Sequence, residues 1–413
     1  MPGETVLTLI YLLTLLGSTC QSAPAAVSAS RGWTVGNGVN YQLTTIVLSR
    51  ESGIPKSSGD VGFQYTGELS VAAVWHDPKD LDTILLEIKL ISPQLYIKSR
   101  KAPEPEGFVE HSSKLDQVPQ HPIYLLWRNG EILKVFLSPD ETISSANLKR
   151  GLASLFQYKT LDGHHQEHDA SGLCKVTYES RTPHTITKSK HHCNVNLSQL
   201  RNQHPNPILG VKLDSTRFAV YTLDPLLIPT KIEETEIHEV TLQAKPEVGA
   251  TVTTQRILQK TASITVSRID GSNIRDAIAH LQPGYREVEI DLQVEPITCP
   301  ESGCRTLEQV IDQNREALDV SALGTAKSAT AFLKLIPLVR DASADELTRI
   351  LKSPRNLPLK TQLLDILGSA STSATHQAAM KILRQDETGD EMERYLWALS
   401  MSPVPHPDII KDI

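Results

Sequence analysis

At 413 residues the chain is long enough for two or three domains, each with an ordinary hydrophobic core. Its 39% hydrophobic and 22% charged residues sit near the globular average. A net charge of -7 gives no general footprint for nucleic acid, because a DNA or RNA binder needs a basic face to displace counterions from phosphates.

Residues 1–25 read as a secretory signal. Val6, Leu7, Leu9, Ile10, Leu12, Leu13, Leu15 and Leu16 form an apolar stretch followed by small residues from Gly17 onward. No Lys or Arg precedes it, so the α-amino group alone supplies the positive end. The stretch is shorter than the ~20 residues that a membrane-spanning helix needs. Cleavage is expected between Cys20 and Ala26. Losing Cys20 leaves Cys174, Cys193, Cys299 and Cys304, an even set that points to two disulfides in an exported chain. Spacing permits three connectivities; loop lengths and a change of periodicity near 298 favour Cys174 with Cys193 and Cys299 with Cys304. The sequon at Asn196 is a candidate glycosylation site, against steric block by the nearby half-cystine.

The segment 27–297 reads as a β domain, because its apolar residues recur mainly at period two. Leu69, Val71, Ala73 and Trp75 mark one strand. Segments 123–127 and 131–137 flank an Asn129-Gly130 hairpin turn. After Pro139, Asp140 and Glu141, the stripe Leu148, Leu152, Leu155 and Phe156 predicts a helix. Gly151 lies inside that stripe at a cost of about 1 kcal/mol relative to Ala, so close packing against a strand is expected there, with Lys149 on the exposed side. β-Branched residues dominate 251–266. In 287–295, Val288, Ile290, Leu292 and Val294 alternate with acidic and amide residues, predicting a long strand. So many short strands imply a barrel or sandwich; a barrel plugged by the helix is the preferred reading.

Beyond Cys304 the period becomes helical, with Leu307, Val310 and Ile311, then Phe332, Leu333, Leu335, Ile336, Leu338 and Val339. Ser343-x-x-Glu346 and Thr388-x-x-Glu391 fit capping boxes. Gly368 is the expected C-terminal cap of the run Leu363, Leu364, Ile366 and Leu367. Short helices on brief loops predict stacked pairs, so 298–413 reads as the start of an α-helical superhelix that further repeats would complete. The fold class is α+β, multidomain.

Catalytic motifs are mostly absent: there is no GxSxG elbow, phosphate loop, GxGxxG turn or HExxH. No enzyme, cofactor or metal is expected. His164, His165 and His168 beside Asp169, with His191 and His192 nearby, form the strongest metal candidate, but their polar, turn-like setting favours a solvated loop. A small disulfide loop is favoured over a metal site for Cys299 and Cys304. The basic run between Cys174 and Cys193 reads as a stapled hairpin with a solvated face, and a contact with an acidic partner is the competing reading.

The stretch IYLLWRNGEILKVFLSPDETISSANLKRGLASLFQ at 123–157, DASGLCKVTYES at 169–180 and VAAVWHDP at 71–78 resemble the N-terminal module of the large lipid transfer protein family, which includes vitellogenin and apolipoprotein B. The resemblance covers nearly all of 31–413. It implies a β-barrel with a central helix, then a double-layered α-superhelix, then large sheets that enclose lipid. It also implies the Cys174–Cys193 disulfide and a counterpart for Cys299/Cys304. Protein disulfide isomerase is the implied partner and supplies the retention signal of the endoplasmic reticulum; the terminal DIIKDI carries no KDEL-type signal. Contacts with apolipoprotein B, with neutral lipids and phospholipids, and transiently with a membrane are implied too, without assigning lipid-binding residues. The lipid cavity belongs to sheets after the helical part, so transfer by these 413 residues alone is not expected. The expected function is that of a lipid transfer subunit carrying triglyceride, cholesteryl ester and phospholipid for lipoprotein assembly; a structural, yolk-precursor-like module is the alternative, and a metal-dependent secreted enzyme a distant third.

Overall fold

The computed structural model describes residues 32–52, 60–99, 107–112, 121–194, 211–243, 245–281, 284–293, 305–384, 389–402 and 405–413. The candidate signal at 1–25, Asn196, Cys299 and Cys304 lie outside them.

Alternating apolar and polar residues build long strands: β1 (Asn37–Glu51), β2 (Val61–Asp77), β3 (Asp80–Lys98), β4 (Val109–Glu110), β5 (Ile123–Arg128), β6 (Glu131–Leu137), β7 (Gly163–Asp169), β8 (Gly172–Thr182), β9 (Thr185–Asn194), β10 (Val211–Leu223), β11 (Pro229–Leu242), β12 (Gly249–Thr265) and β13 (Arg286–Val288). They form one 13-stranded sheet in the order β13-β6-β5-β3-β2-β1-β12-β11-β10-β9-β8-β7, with β4 attached to β3. The sheet curls around the central helix Ile143–Ala153 and the 3-10 turn Ser154–Phe156. Phe156 is the hub of the core, its ring 6.3 Å from Trp33 and 5.9 Å from Tyr41, while its carbonyl accepts from Trp127 Nε1 at 2.8 Å.

The expected barrel is an open sheet, since β7 and β13 are its two ends and do not pair with each other. The expected strand over 287–295 leaves the ladder after Val288. Beyond that point, side chains rather than a neighbouring strand hold the backbone. Arg150 Nε donates to the Glu289 carbonyl at 3.0 Å, and Asn147 exchanges two bonds with Gln293, at 2.7 and 3.0 Å. His168 Nε2 meets Asp291 Oδ1 at 2.9 Å, bridging the two edges.

The end of β2, Val71–Trp75, and β5 from Ile123 to Trp127 are buried on both faces, which explains their unbroken apolar runs. The helix Ile274–Ala279 covers the outer face, packing Ala277 and Ile278 near Ala72, Val74 and Tyr124. A register shift between Ala73 and Trp75 turns Trp75 to that outer face, away from Leu69, Val71 and Ala73, and its Nε1 donates to the Gly271 carbonyl at 2.9 Å. The hairpin turn has Asn129 at φ 48 and Gly130 at φ 86, and a Cβ on Gly130 would fall 1.8 Å from the Tyr158 carbonyl oxygen.

The central helix reverses the expectation for two neighbours. A Cβ on Gly151 meets nothing within 4 Å, so this turn makes no close contact. Lys149 is the buried neighbour, paired with the buried Glu141 and donating to the His121 carbonyl at 2.7 Å. Its ion pair, invisible to a stripe of apolar letters, places it inside.

The helices Leu307–Gln313, Arg315–Leu318, Ala326–Asp341, Ala344–Lys352, Lys360–Ala370, Ser373–Leu383, Asp390–Ser400 and Pro407–Asp412 share a separate core around Leu335, Leu363, Ile366 and Leu399. Gly368 does not end its helix, which runs to Ala370 and is capped by Ser371 at φ 50. A Cβ there would lie 2.8–3.0 Å from Ala398 Cβ, Leu399 N and the Tyr395 carbonyl, so Gly368 marks a close crossing of two helices. Ser343 caps its helix through its hydroxyl. Gly389, rather than Thr388, caps Asp390–Ser400; Thr388 lies outside the described residues.

Gly151→Ala is expected to be neutral or to stabilise by up to about 1 kcal/mol through helix propensity. Lys149→Ala, which strands a buried Glu141, is expected to destabilise by about 3–5 kcal/mol. Urea unfolding of both variants checks the pair of values; a larger loss for Gly151→Ala than for Lys149→Ala would contradict this burial.

Candidate functional site: a charged interior and an apolar groove

Strand alternation turns charges inward on the β7 to β12 side of the sheet. Glu167 and Asp169 of β7, Lys188 and Lys190 of β9, Arg217 of β10, Glu234 and Glu236 of β11, and Arg256 of β12 lie on the face that also carries Tyr178, Ile186, Tyr221 and Ile232. They form four ion pairs: Lys188 with Glu167 at 2.7 Å, Lys190 with Asp169 at 2.6 Å, Arg217 with Glu236 at 3.5 Å, and Arg256 with Glu234. Tyr178 Oη donates to the other Glu167 oxygen at 2.8 Å, and Lys188 Nζ also donates to the Gln157 carbonyl at 2.7 Å. Burial alone would raise the Asp169 carboxyl, but the Lys190 and Lys188 charges, with hydrogen bonds from Lys190 and Ser171, hold it below the ordinary range. Burial likewise opposes ionisation of Glu236, yet a hydrogen bond from His238 and the charges of Arg256, Arg217 and Lys190 bring it down to about 2.

This arrangement corrects two expectations. The histidines sit on strand β7 rather than in a loop. His164 and His168, on one face, are four residues and about 13 Å apart, and His165 points to the opposite face against Tyr178, so strand geometry keeps the three from meeting on one ion. The basic hairpin is not a wholly solvated face, because Lys188 and Lys190 turn inward while Lys175, Arg181 and His184 remain outside. Cys174 and Cys193 are joined by a disulfide that staples β8 to β9, and a loop of that length adds about 3 kcal/mol in the chain-entropy account.

Among the described residues, the helix, aromatic rings and paired charges pack the middle of the sheet interior. An apolar recess lies outside it, where the end of β11 approaches the helix Asp390–Ser400. This groove of about 560 Å³ is lined by Leu242, Lys245, Gly389, Met392, Glu393, Leu396, Trp397 and Ser400. Lys245 Nζ stands 5.9 Å from the centre of the Trp397 ring. The sequence signal for this groove is slight: Met392, Leu396, Glu393 and Trp397 recur at helical spacing, but nothing local shows that Leu242 and Lys245 face them. The seam between the sheet edges holds a second recess of about 360 Å³, with Lys134, Lys159, Glu287 and Glu289 in its wall. Among the described residues no helix is long and apolar enough to cross a membrane.

Asp169→Asn leaves Lys190 buried without its counter-charge and is expected to destabilise by about 3–5 kcal/mol, whereas Asp169→Leu combined with Lys190→Met recovers most of the loss. Because the folded-state pKa values of Asp169 and Glu236 are depressed, their stabilisation is full above the unfolded values of about 4 and drains away as pH falls toward about 2. Thermal midpoints between pH 6 and 2 should drop through that window, less steeply for Asp169→Asn; parallel curves would refute the assignment.

Residues 33–247 match the vitellogenin N-terminal domain. The chain is 28% identical over 381 residues to the microsomal triacylglycerol transfer protein of Drosophila melanogaster, covering 90% of this chain and 41% of that protein. It is 28% identical over 406 residues to the large subunit of the microsomal triglyceride transfer protein of Homo sapiens, covering 94% and 44%. With the subunit of that name in Danio rerio the identity is 24% over 416 residues, covering 97% and 46%. The chain thus spans less than half the length of these relatives. A solved lipovitellin structure superposes with a TM-score of 0.51 at 15% identity, covering 90% of this chain and 40% of that one, which is a likeness of fold. A domain match over half of its length, on a curled sheet wrapped around one helix, shows that the chain belongs to the vitellogenin N-terminal domain family.

Proposed function

We propose that this chain acts as a lipid transfer subunit, or as the N-terminal part of one, carrying triglyceride, cholesteryl ester and phospholipid for lipoprotein assembly in the lumen of the endoplasmic reticulum, without catalysing a reaction. The observation that carries the reading is sequence similarity running along 90–97% of the chain to proteins named for triglyceride transfer. The yolk-type alternative rests on the shared vitellogenin N-terminal domain and on a likeness of fold at 15% identity, neither of which runs along the whole chain at the level of the transfer-protein relatives. In this reading 1–25 is a signal, 27–297 the β module and 298–413 the start of a superhelix, with protein disulfide isomerase and apolipoprotein B as protein partners. A neutral lipid needs a concave apolar site that buries most of its surface, and the middle of the sheet interior is packed, so the role of these residues is to hold partners and to meet lipid surfaces.

Co-expression with protein disulfide isomerase in a secretory host, followed by transfer of labelled triglyceride between vesicles, tests this. A stable complex is expected, with transfer well below that of a full-length relative. Release of labelled fatty acid would turn the reading toward an enzyme, and absence of both complex and lipid movement would end it.

A further inference from the structure

The groove between β11 and the helix Asp390–Ser400 has a floor and a rim of different chemistry. Leu242, Met392 and Leu396 make the floor. Glu393 and Trp397, four residues apart, lie on one face of the helix, and Met401, a further turn on, prolongs the apolar stripe at 51% exposure. Lys245 stands over the Trp397 ring from the other wall. Lys245 and Glu393 are both exposed, and neither is in an ion pair among the described residues. One unpaired cation and one unpaired anion therefore edge an apolar recess beside a half-exposed indole, a side chain with an apolar body and a polar N–H suited to the boundary between lipid and water.

We propose that this groove is a docking site for the headgroup of a zwitterionic phospholipid in a lipid surface, with Lys245 meeting the phosphate, Glu393 the ammonium, and Leu242, Leu396 and Trp397 the upper acyl chain. Triglyceride brings no charge to either rim residue. A purely apolar peptide segment brings none either, and would leave Lys245 and Glu393 desolvated without partners. The volume of about 560 Å³ suits a headgroup and the start of a chain, as in ordinary ligand sites of ~300–1,000 Å³, not three acyl chains. The site rests on the lipid-handling reading above, but it concerns attachment to a surface, not carriage of cargo.

Trp397 supplies its own reporter. Trp33, Trp75 and Trp127 are 6%, 3% and 7% exposed, whereas Trp397 is 43% exposed. The test uses the full 413-residue chain with vesicles of phosphatidylcholine brominated on the acyl chains, because bromine quenches only an indole in contact with it. Marked quenching is expected, with apparent affinity about tenfold weaker for Lys245→Glu. Glu393→Lys should weaken phosphatidylcholine binding and strengthen binding to brominated phosphatidylglycerol. No quenching would overturn the site in favour of a protein occupant, such as a further segment of a longer chain. Quenching unchanged in Lys245→Glu, or tighter binding of the unaltered chain to phosphatidylglycerol, would overturn it in favour of unspecific adsorption. Complex formation with protein disulfide isomerase and triglyceride movement, measured on the same preparations, separate the two ideas: a stable complex without quenching sinks the groove alone, and quenching with neither complex nor lipid movement sinks the transfer reading alone.

Discussion

The sheet depends on the requirement that every charge turned into its interior meets an opposite one. Lys188, Lys190, Arg217 and Arg256 face Glu167, Asp169, Glu236 and Glu234 across strands β7 to β12. Such pairs stabilise little against well-packed apolar groups, since removing both ions from water costs about what their attraction returns. Their effect on specificity is larger. Sliding β9 by one residue would send Lys188 and Lys190 to the outer face and leave Glu167 and Asp169 buried alone, a loss of several kcal/mol per ion. The charges thus select one register in strands whose polar letters would otherwise permit several.

The central helix answers the problem of a sheet that does not close. Edge strands expose unpaired amides and carbonyls and invite pairing with other chains. Here β7 carries histidines and acids, and the backbone beyond β13 is taken up by Asn147 and Arg150 from the helix and linked through Asp291 to His168. One helix therefore fills the core with Leu152, Leu155 and Phe156 of its final turns and ties down an edge with its polar side. Lys149, anchored on Glu141 and the His121 carbonyl, ties its middle turn to the segments that precede the helix.

How much of this was legible follows from which forces are local. The Asn129-Gly130 turn was readable because two positive φ angles belong to the turn itself. The strands of the sheet and the helical half were readable from periodicity. What failed did so where distant residues decide. A lysine at 149 looks exposed until Glu141 is placed beside it, and KSK at 188–190 looks like a solvated run until β7 supplies its acids. Gly368 looked like a stop signal, because a glycine that ends a helix and one that lets another helix approach carry the same letter. Trp75 was put on the wrong face by a bulge that alternation does not encode.

The same distinction separates the two regions as candidate sites. The interior is occupied to the point of charge balance, so opening it to a lipid would expose ions to hydrocarbon, and a single unpaired buried charge costs several kcal/mol. On the proposed function, lipid contact belongs on surfaces where apolar side chains are already exposed and the charges still have water. The groove beside Trp397 meets both conditions, and it forms only because two differently built halves meet: a period-two strand supplies Leu242 and the turn beyond it Lys245, while a helix supplies Met392, Glu393, Leu396 and Trp397. The groove takes one rim charge from each half, so the recognition proposed at this place is a property of the junction, and a change that loosened the junction would remove it while leaving each core intact.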